Sequence, residues 1–242
     1  MSQDHSPQDQ PIAAVSPPLA DTGPHALPRP EPADEALAAS THSCRTFMRA
    51  GSIGVTTAAK ALPLALTPSC KGEETPALME GPLFKPNSPE RTNLLTPSVS
   101  TGVYLQLRGL VYDTACTPVP DCQIEFWQCD QYGDYDTAGF TLRGHQRTTA
   151  RGTYQLDTII PRDYWGRWGQ RAPHIHAQVQ APDGPVLITQ LFFPDDTEAY
   201  DRDFAALNAR DRLLNRACTL TLEKQQSGGY VGAFDFVIAT KA

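Results

Sequence analysis

The sequence contains no apolar run of 18 or more residues, no CxxC pair and no HExxH motif. A membrane-spanning helix needs about 20 consecutive apolar residues, so we expect no transmembrane span. Without CxxC or HExxH there is no recognisable structural or protease-type zinc site. Basic residues are few, with 20 Lys and Arg against 27 Asp and Glu and a net charge of −7. No basic stripe could follow a phosphate backbone, so we expect no nucleic-acid partner.

The first third of the chain differs in composition from the rest. Residues 1–42 are rich in Pro, Ala, Asp and Glu and poor in bulky apolar side chains, which predicts a disordered extension. Residues 43–77 are interpreted as a signal-like segment and linker, because Arg45 and Arg49 precede a stretch of small and apolar residues. This order resembles a degraded twin-arginine signal and predicts export to the periplasm or cell surface, with Cys70 as a candidate lipid attachment site. A cytoplasmic protein with a short linker helix is the alternative.

The six cysteines do not decide the compartment. Cys116 and Cys122 flank a short proline-containing turn, so a local disulfide between them is one hypothesis and free thiols are the other.

Residues 78–242 have the pattern of an all-β domain. Short β-branched and aromatic runs alternate with Gly, Pro and Asp, which is typical of an antiparallel β-sandwich. The predicted strands are 103–112, 122–129, 153–159, 174–180, 186–193, 217–223 and 231–238. One stretch, 197–207, predicts a helix with Thr197 as its N-cap.

The most informative segment is the predicted strand 174–180, with the sequence HIHAQVQ. Alternate side chains of a strand share a face, so His174 and His176 lie on one side, and Ile175 can enter the core on the other. Two imidazoles on one strand face can bind a single metal ion. Two solvated or hydrogen-bonded histidines are the alternative interpretation.

The residues alone leave the other ligands of such a site open. Asp134 and Asp136 could complete a zinc or copper site. Tyr135 and Tyr164 lie in predicted loops, where a tyrosine is ordinarily a packing residue. A phenolate is nevertheless a hard anionic donor that suits Fe(III), and tyrosinate ligation of iron has precedent.

Five segments, in this order along the chain, resemble the intradiol ring-cleavage dioxygenases, the group that includes protocatechuate 3,4-dioxygenase. The matching segments are EGPLF (80–84), RGLVYDTACTPVPDCQIEFWQCDQYGDYD (108–136), LRGHQRTTARGTYQLDTIIPRDYW (142–165), RAPHIH (171–176) and ITQLFFPDD (188–196). The resemblance implies an Fe(III) cofactor, a catechol substrate and O₂, and a muconate-type diacid as product. It covers about half the chain, and the helical N-terminal domain of the catechol 1,2-dioxygenases has no counterpart here.

The resemblance also implies a role for each site residue. Tyr135 and His174 would be equatorial iron ligands, and Tyr164 and His176 the axial pair, with Tyr164 leaving when the catechol arrives. Tyr135 is preferred to its rival Tyr132 because it follows the Gly133-Asp134 pair.

Further roles are implied around the ligands. Arg171 and Gln190 would stabilise negative charge on the substrate, with Gln190 also bordering the oxygen-binding space. Gly81, Pro82 and Trp165 would line the substrate pocket. The sequence does not decide the oligomeric state, which could be a homo-oligomer, or which catechol is the substrate.

Two hypotheses compete with a dioxygenase. One is a secreted β-sandwich binding module with a non-catalytic metal, and the other is a zinc or copper enzyme built on the histidine pair. An arginine beside the metal, such as Arg171, favours the enzyme over a binding module.

Overall fold

The computed structural model describes residues 70–241. The predictions made for residues 1–69 lie outside this range. Eleven strands and one α-helix follow in the order β1 (Tyr104–Asp113), β2 (Gln123–Trp127), β3 (Arg143–Arg147), β4 (Thr153–Ile159), β5 (Tyr164–Gly166), β6 (Gly169–Arg171), β7 (His174–Gln180), β8 (Val186–Phe192), α1 (Phe204–Arg210), β9 (Thr221–Lys224), β10 (Tyr230–Ala233) and β11 (Phe236–Ile238). Short 3₁₀ turns occupy Pro97–Val99 and Arg216–Cys218. No helix in this part of the chain is long and apolar enough to cross a membrane.

Two sheets enclose the hydrophobic core. The first is built on β1, which pairs with β4 along one edge and with β10 and then β11 along the other. Strand β9 pairs with the free edge of β10. The second has the order β3-β2-β7-β8 and is antiparallel throughout. Strands β5 and β6 form a separate short hairpin. The predicted β-sandwich is confirmed.

The first sheet is mixed rather than purely antiparallel, because β10 and β11 run parallel to β1. They are the two halves of the single strand predicted at 231–238. At the break, the carboxylate of Asp235 accepts the Leu110 N–H at 2.9 Å in place of a backbone carbonyl. Gly109 makes this bend possible, since a Cβ there would lie 1.8 Å from the Phe234 carbonyl oxygen.

The helix prediction was wrong in its position. The helix begins at Phe204 rather than Thr197, and Asp203 caps it by accepting the Ala206 N–H at 2.9 Å. Tyr200 and Asp201 have positive φ angles of 55° and 52°, which a right-handed helix cannot include. Strand β3 and the β5–β6 hairpin were not predicted, and the predicted strand at 217–223 shortened to β9 behind a 3₁₀ turn.

Residues ahead of position 78 run along the sandwich. The backbone N–H of Thr75 donates to Val237 O at 2.9 Å, and the Thr75 hydroxyl accepts the Val237 N–H. Leu78 then pairs with Ile188 of β8. The segment is thereby placed beside both sheets before the chain reaches the candidate site.

The hypothesis of a local Cys116–Cys122 disulfide is wrong, because Cys116 pairs with Cys70 across a separation of 46 residues. Cys122 is fully buried in the core directly before β2, whereas Cys116 is half-buried in the turn after β1. The remaining described cysteines, Cys122, Cys129 and Cys218, are buried free thiols.

Removing this disulfide is expected to destabilise the domain without disturbing the candidate site. The paired variant Cys70→Ser/Cys116→Ser should lose about 2–4 kcal/mol in free energy of unfolding, because the unfolded chain regains the freedom of a long loop. Urea denaturation measures the loss. A Cys218→Ser change serves as the control, and equal stability of the paired variant and the parent would contradict the assignment.

Candidate metal centre

The two histidines of β7 lie on the outer face of the second sheet. Ile175, Ala177 and Val179 point into the core on the opposite face, as the alternation of the strand predicts. The Nε2 atoms of His174 and His176 are 3.2 Å apart. Two nitrogens that each bind an ion at about 2.1 Å have a separation of this size, so the pair can act as two ligands of one metal.

Neighbouring groups hold both rings. His174 Nδ1 donates to the Ala172 carbonyl oxygen at 2.6 Å, which leaves its Nε2 as the lone-pair atom directed at His176. Trp127 lies across from His176 in the β2–β7 register, and its ring stacks on the imidazole at 4.7 Å between centroids. Phe192 packs against His174 from β8.

Both predicted tyrosines converge on the histidines from separate loops. The Tyr135 ring is 6.3 Å from His176, the Tyr164 ring is 5.7 Å from His174, and the two phenol rings are 5.3 Å apart. Tyr135 lies in the loop between β2 and β3, and Tyr164 begins the β5–β6 hairpin. The structure therefore assembles all four residues predicted as ligands.

Two polar atoms at this centre are buried and have no hydrogen-bond partner among the described residues, the Tyr135 hydroxyl and His176 Nδ1. An unsatisfied buried hydroxyl ordinarily costs about 1–3 kcal/mol. A metal ion bound through the phenolate oxygen would remove that cost. Two nitrogen donors with two phenol oxygens, one of them unpartnered, form a donor set that fits Fe(III).

The electrostatics keep the donors neutral in the absence of a cation. Burial, and next the Arg171 charge, lower the pKa of His174 to about 3, so its imidazole is available as a ligand at neutral pH. Burial raises the pKa of Tyr135 well above its usual value and also raises that of Tyr164. A bound cation would reverse the preference of both phenols by stabilising the phenolates.

Arg171 is brought to the centre, but its charge is already paired. Its side chain is 4% exposed, and its Nε contacts the Asp211 carboxylate at 3.0 and 3.1 Å. Its Nη2 donates to Gln190 Oε1 at 2.5 Å, and Gln190 Nε2 donates to the Met79 carbonyl at 2.6 Å. Gln190 thus links Arg171 to the segment before Gly81, and both ends of its amide are engaged.

Two of the three predicted pocket residues line one cavity of about 330 Å³. Pro82 and Trp165 line it together with Tyr135 and Tyr164. Gly81 is not in that lining but lies against the site, since a Cβ at this position would be 3.6 Å from His176 Cε1. The structure therefore places a cavity directly beside the two tyrosines that converge on the histidine pair.

The alternatives to the tyrosines receive less support. Tyr132 is 66% exposed, whereas the Tyr135 hydroxyl is buried. The Asp136 carboxylate accepts the backbone N–H groups of Ala138, Gly139 and Thr141 and so closes its own loop. Within residues 70–241, no three His, Cys, Asp or Glu side chains group as metal ligands.

Three residues at the site were missed from the sequence. Asp211 holds Arg171, and Trp127 supports His176. Arg143 is buried, with its guanidinium carbon 5.9 Å from the Tyr135 ring centre and its Nε donating to the Asp136 carbonyl at 2.9 Å. For Arg143, the only indication in the sequence was a charged residue beside Gly144 in an otherwise polar run. For Asp211, which is 40 residues from Arg171, nothing in the sequence indicated a role.

Residues 79–240 match the family model described as Dioxygenase. The chain belongs to the intradiol ring-cleavage dioxygenase family. Members of this family use non-haem iron.

Individual relatives agree with this assignment. A catechol 1,2-dioxygenase from Pseudomonas sp. (strain EST1001) is 30% identical over 159 residues, 57% of this chain and 52% of that protein. A hydroxyquinol 1,2-dioxygenase from Nocardioides simplex is 29% identical over 184 residues, 68% and 60% of the two chains. The chain thus spans only about half to three-fifths of these curated relatives.

A solved structure matches over its whole length. It is the dioxygenase domain of a dioxygenase carbohydrate-binding protein fusion from the cellulolytic bacterium Streptomyces sp. SirexAA-E. It is 42% identical, covers 70% of this chain and 100% of that chain, and has a TM-score of 0.61. The 3-chlorocatechol 1,2-dioxygenase of Rhodococcus opacus 1CP shares the fold at 22% identity and a TM-score of 0.61.

Proposed function

We propose that this chain is a non-haem iron(III) dioxygenase that cleaves a catechol-type ring between its two hydroxylated carbons. O₂ is the second substrate and both of its atoms enter the muconate-type product, so no external reductant is required. The observation that carries this proposal is the convergence of His174, His176, Tyr135 and Tyr164 beside a cavity. Family membership supplies the chemistry that such a centre performs.

His174, His176, Tyr135 and Tyr164 would hold the ion. When bound, ferric iron would stabilise the anionic form of the catechol and so lower the pKa of its hydroxyls. His174 is fixed in the required tautomer by the Ala172 carbonyl. Arg171 cannot act as a free cation, because Asp211 balances its charge. We propose instead that it presents fixed N–H donors toward charge that develops on the substrate.

The two tyrosines differ in a way that supports separate roles. Both residues are half-buried and line the cavity, but the Tyr135 hydroxyl is buried without a partner among the described residues, whereas Tyr164 lies at the base of a short hairpin. We propose that Tyr135 stays in place, while Tyr164 swings toward the cavity and its phenolate oxygen accepts a proton from a catechol hydroxyl.

We infer export from the cytoplasm on a separate observation. Disulfides persist mainly in oxidising compartments, and Cys70 is joined to Cys116. A thiol in a disulfide cannot also carry a lipid, so the pairing speaks against lipid attachment at Cys70. A cytoplasmic location is the alternative, and a thiol-alkylation assay on protein taken from the periplasm and the cytoplasm separates the two.

The proposal is tested by colour and oxygen uptake together. Iron-loaded protein is expected to absorb visible light through phenolate-to-iron charge transfer and to consume O₂ with catechol, hydroxyquinol or substituted catechols. Tyr164→Phe should weaken the band, and Tyr135→Phe/Tyr164→Phe should remove it. Tyr132→Phe is the matched control and should keep it.

Two outcomes would overturn the proposal. A protein that stays colourless with iron bound and consumes no O₂ would favour a binding module or a zinc or copper site. A visible band that survives the double tyrosine change would show that other residues are the ligands.

A further inference from the structure

The Tyr135 loop, residues 134–141, leads from the candidate metal centre towards β3 and is folded around one carboxylate. Asp136 accepts three backbone N–H groups of this loop, two of them from Ala138 and Gly139 at 3.0 and 2.6 Å. In a planar trans peptide unit the N–H and C=O groups point in opposite directions. The carbonyl oxygens of these peptide units are therefore directed away from the carboxylate, to the other side of the loop.

Lys85 supplies a cation on the carbonyl side of the Tyr135 loop. Its ammonium donates to the carbonyl oxygens of Ala138 and Gly139 at 2.6 and 2.9 Å and lies 3.5 Å from that of Thr137. The peptide unit that precedes Gly139 is thus held at both ends, by Lys85 through its carbonyl and by Asp136 through its N–H. Hydrogen bonds with one charged partner are roughly twice as strong as those between neutral groups.

Two further cations hold the backbone next to these contacts. Arg91 donates to the carbonyl oxygens of Phe140 and Arg143, and Arg143 Nε donates to the Asp136 carbonyl at 2.9 Å. The Lys85 ammonium also lies 4.5 Å from the Phe140 ring centre, which is a cation–π arrangement. Because Arg143 is buried and Arg91 holds the start of β3, Lys85 is the member of this group that can be changed without disturbing the sheet.

The segment that carries Lys85 also crosses the candidate metal centre. A Cβ at Gly81 would lie 3.6 Å from His176 Cε1. The Phe84 ring packs edge-on against Trp127 at 5.0 Å between centroids, and Trp127 in turn stacks on His176. Lys85 therefore joins the Tyr135 loop to a segment that packs against one of the two histidines.

We propose that Lys85 is a positioning residue of the metal centre, whose ammonium fixes the Tyr135 phenol relative to His176 by holding the Tyr135 loop. The Tyr135 hydroxyl is buried and forms no hydrogen bond with a described residue, so its position is set by its loop and by the packing of its ring. Lys85 acts through the loop backbone and touches neither ion nor substrate. This inference rests on the proposed function and adds the group that keeps Tyr135 in place while Tyr164 moves.

Amide exchange and tyrosine nitration of the metal-free full chain test the positioning without iron. Lys85→Met keeps the apolar stem of the side chain but removes the ammonium. The amides of Ala138 and Gly139 should exchange roughly 10-fold faster in this variant, because opening of the loop no longer breaks a charge-assisted contact. The buried Tyr135 should react faster with tetranitromethane, while the exposed Tyr132 keeps its rate. Mass spectrometry of the peptides measures both changes.

Iron-loaded protein tests the consequence for the metal centre. Lys85→Met should release iron to a chelator about 10-fold faster, which is the lower end of the loss expected when a group that orients a ligand is removed. The phenolate-to-iron band should shift or broaden in the same variant. Lys85→Arg keeps a cation and should restore slow release. Lys224→Met, the control, removes an exposed ammonium that contacts Glu198 at 2.5 Å on the other sheet and should change none of these values.

The two sets of measurements keep this inference separate from the proposed function. If the protein holds no iron and cleaves no catechol, the proposed function fails, and exchange with nitration alone decides whether Lys85 positions Tyr135. Parent-like exchange and nitration in Lys85→Met would overturn the inference even in an active enzyme. A loosened loop with unchanged iron release and an unchanged band would overturn it as well, and so would a Lys85→Arg protein that is as impaired as Lys85→Met.

Discussion

Replacing His176 with alanine is expected to abolish iron retention and oxygen consumption together. The Nε2 atoms of His174 and His176 are 3.2 Å apart, so removal of either ring leaves the centre with one nitrogen donor. Loss of a residue that merely orients a ligand typically costs 10–100-fold in metal affinity or activity. Loss of the ligand itself should exceed about 100-fold. Metal content after gel filtration, the visible band and oxygen uptake are measured on the same preparation.

The stacking of Trp127 on His176 predicts that His176→Ala also lowers the stability of the domain. The Trp127 ring packs on His176 at 4.7 Å, so the alanine variant loses buried contact and should unfold at lower urea concentration. His176→Gln keeps more of the side-chain volume and separates packing from ligation. It should recover part of the stability but neither the iron nor the colour.

His145→Ala is the matched control for a lost imidazole. His145 belongs to β3 of the same sheet, and its Nδ1 is hydrogen-bonded to the Ser88 hydroxyl at 3.3 Å, away from the proposed ligands. Iron content and colour should survive this change. Full iron content and activity in His176→Ala would show that the histidine pair is not the metal centre.

The parts of the site that the sequence predicts are those governed by local geometry. The alternation along 174–180 places two histidines on one face because the side chains of a strand have a period of two, and the structure has this arrangement. Strand β3 was not predicted, because Arg143–Arg147 is polar and contains Gly144. It therefore lacks the alternation of apolar and polar residues that identifies a strand. It becomes a strand by pairing with β2.

Long-range partners could not be predicted in the same way. The Cys70–Cys116 pairing joins residues 46 apart, and Asp211 reaches Arg171 from the residue after α1. Neither contact leaves a periodic or spacing pattern in the sequence. The resemblance to a family implied the tyrosine pair and Arg171, but it did not reveal that a buried carboxylate neutralises that arginine.

The Arg171–Asp211 pair is expected to be the most sensitive charged contact of the domain outside the proposed metal ligands. The two side chains are 4% and 1% exposed, and Asp211 also accepts the backbone N–H groups of Ala172 and Leu213. Asp211→Ala leaves a buried guanidinium without its counter-charge, which typically costs about 3–5 kcal/mol. Urea unfolding at neutral pH measures the loss.

Comparison with an exposed ion pair shows whether burial is the reason for the expected loss of stability in Asp211→Ala. The Lys224–Glu198 pair is shorter, at 2.5 Å, but has side chains that are 61% and 74% exposed, so Glu198→Ala should leave the urea midpoint almost unchanged. A double variant, Arg171→Leu/Asp211→Ala, removes both buried charges and should lose less stability than the sum of its single changes. Additive losses would mean that the two residues stabilise the domain independently.

The same pair links stability to the proposed chemistry. Ala172, whose N–H is held by Asp211, also supplies the carbonyl that fixes the His174 tautomer. Asp211→Asn keeps a similar shape and one acceptor oxygen but removes the counter-charge. We therefore expect this variant to fold and to retain iron, with kcat reduced by more than KM is changed, because the donors of Arg171 are no longer fixed toward the substrate. An unchanged kcat in a folded, iron-loaded Asp211→Asn protein would contradict this role for Arg171.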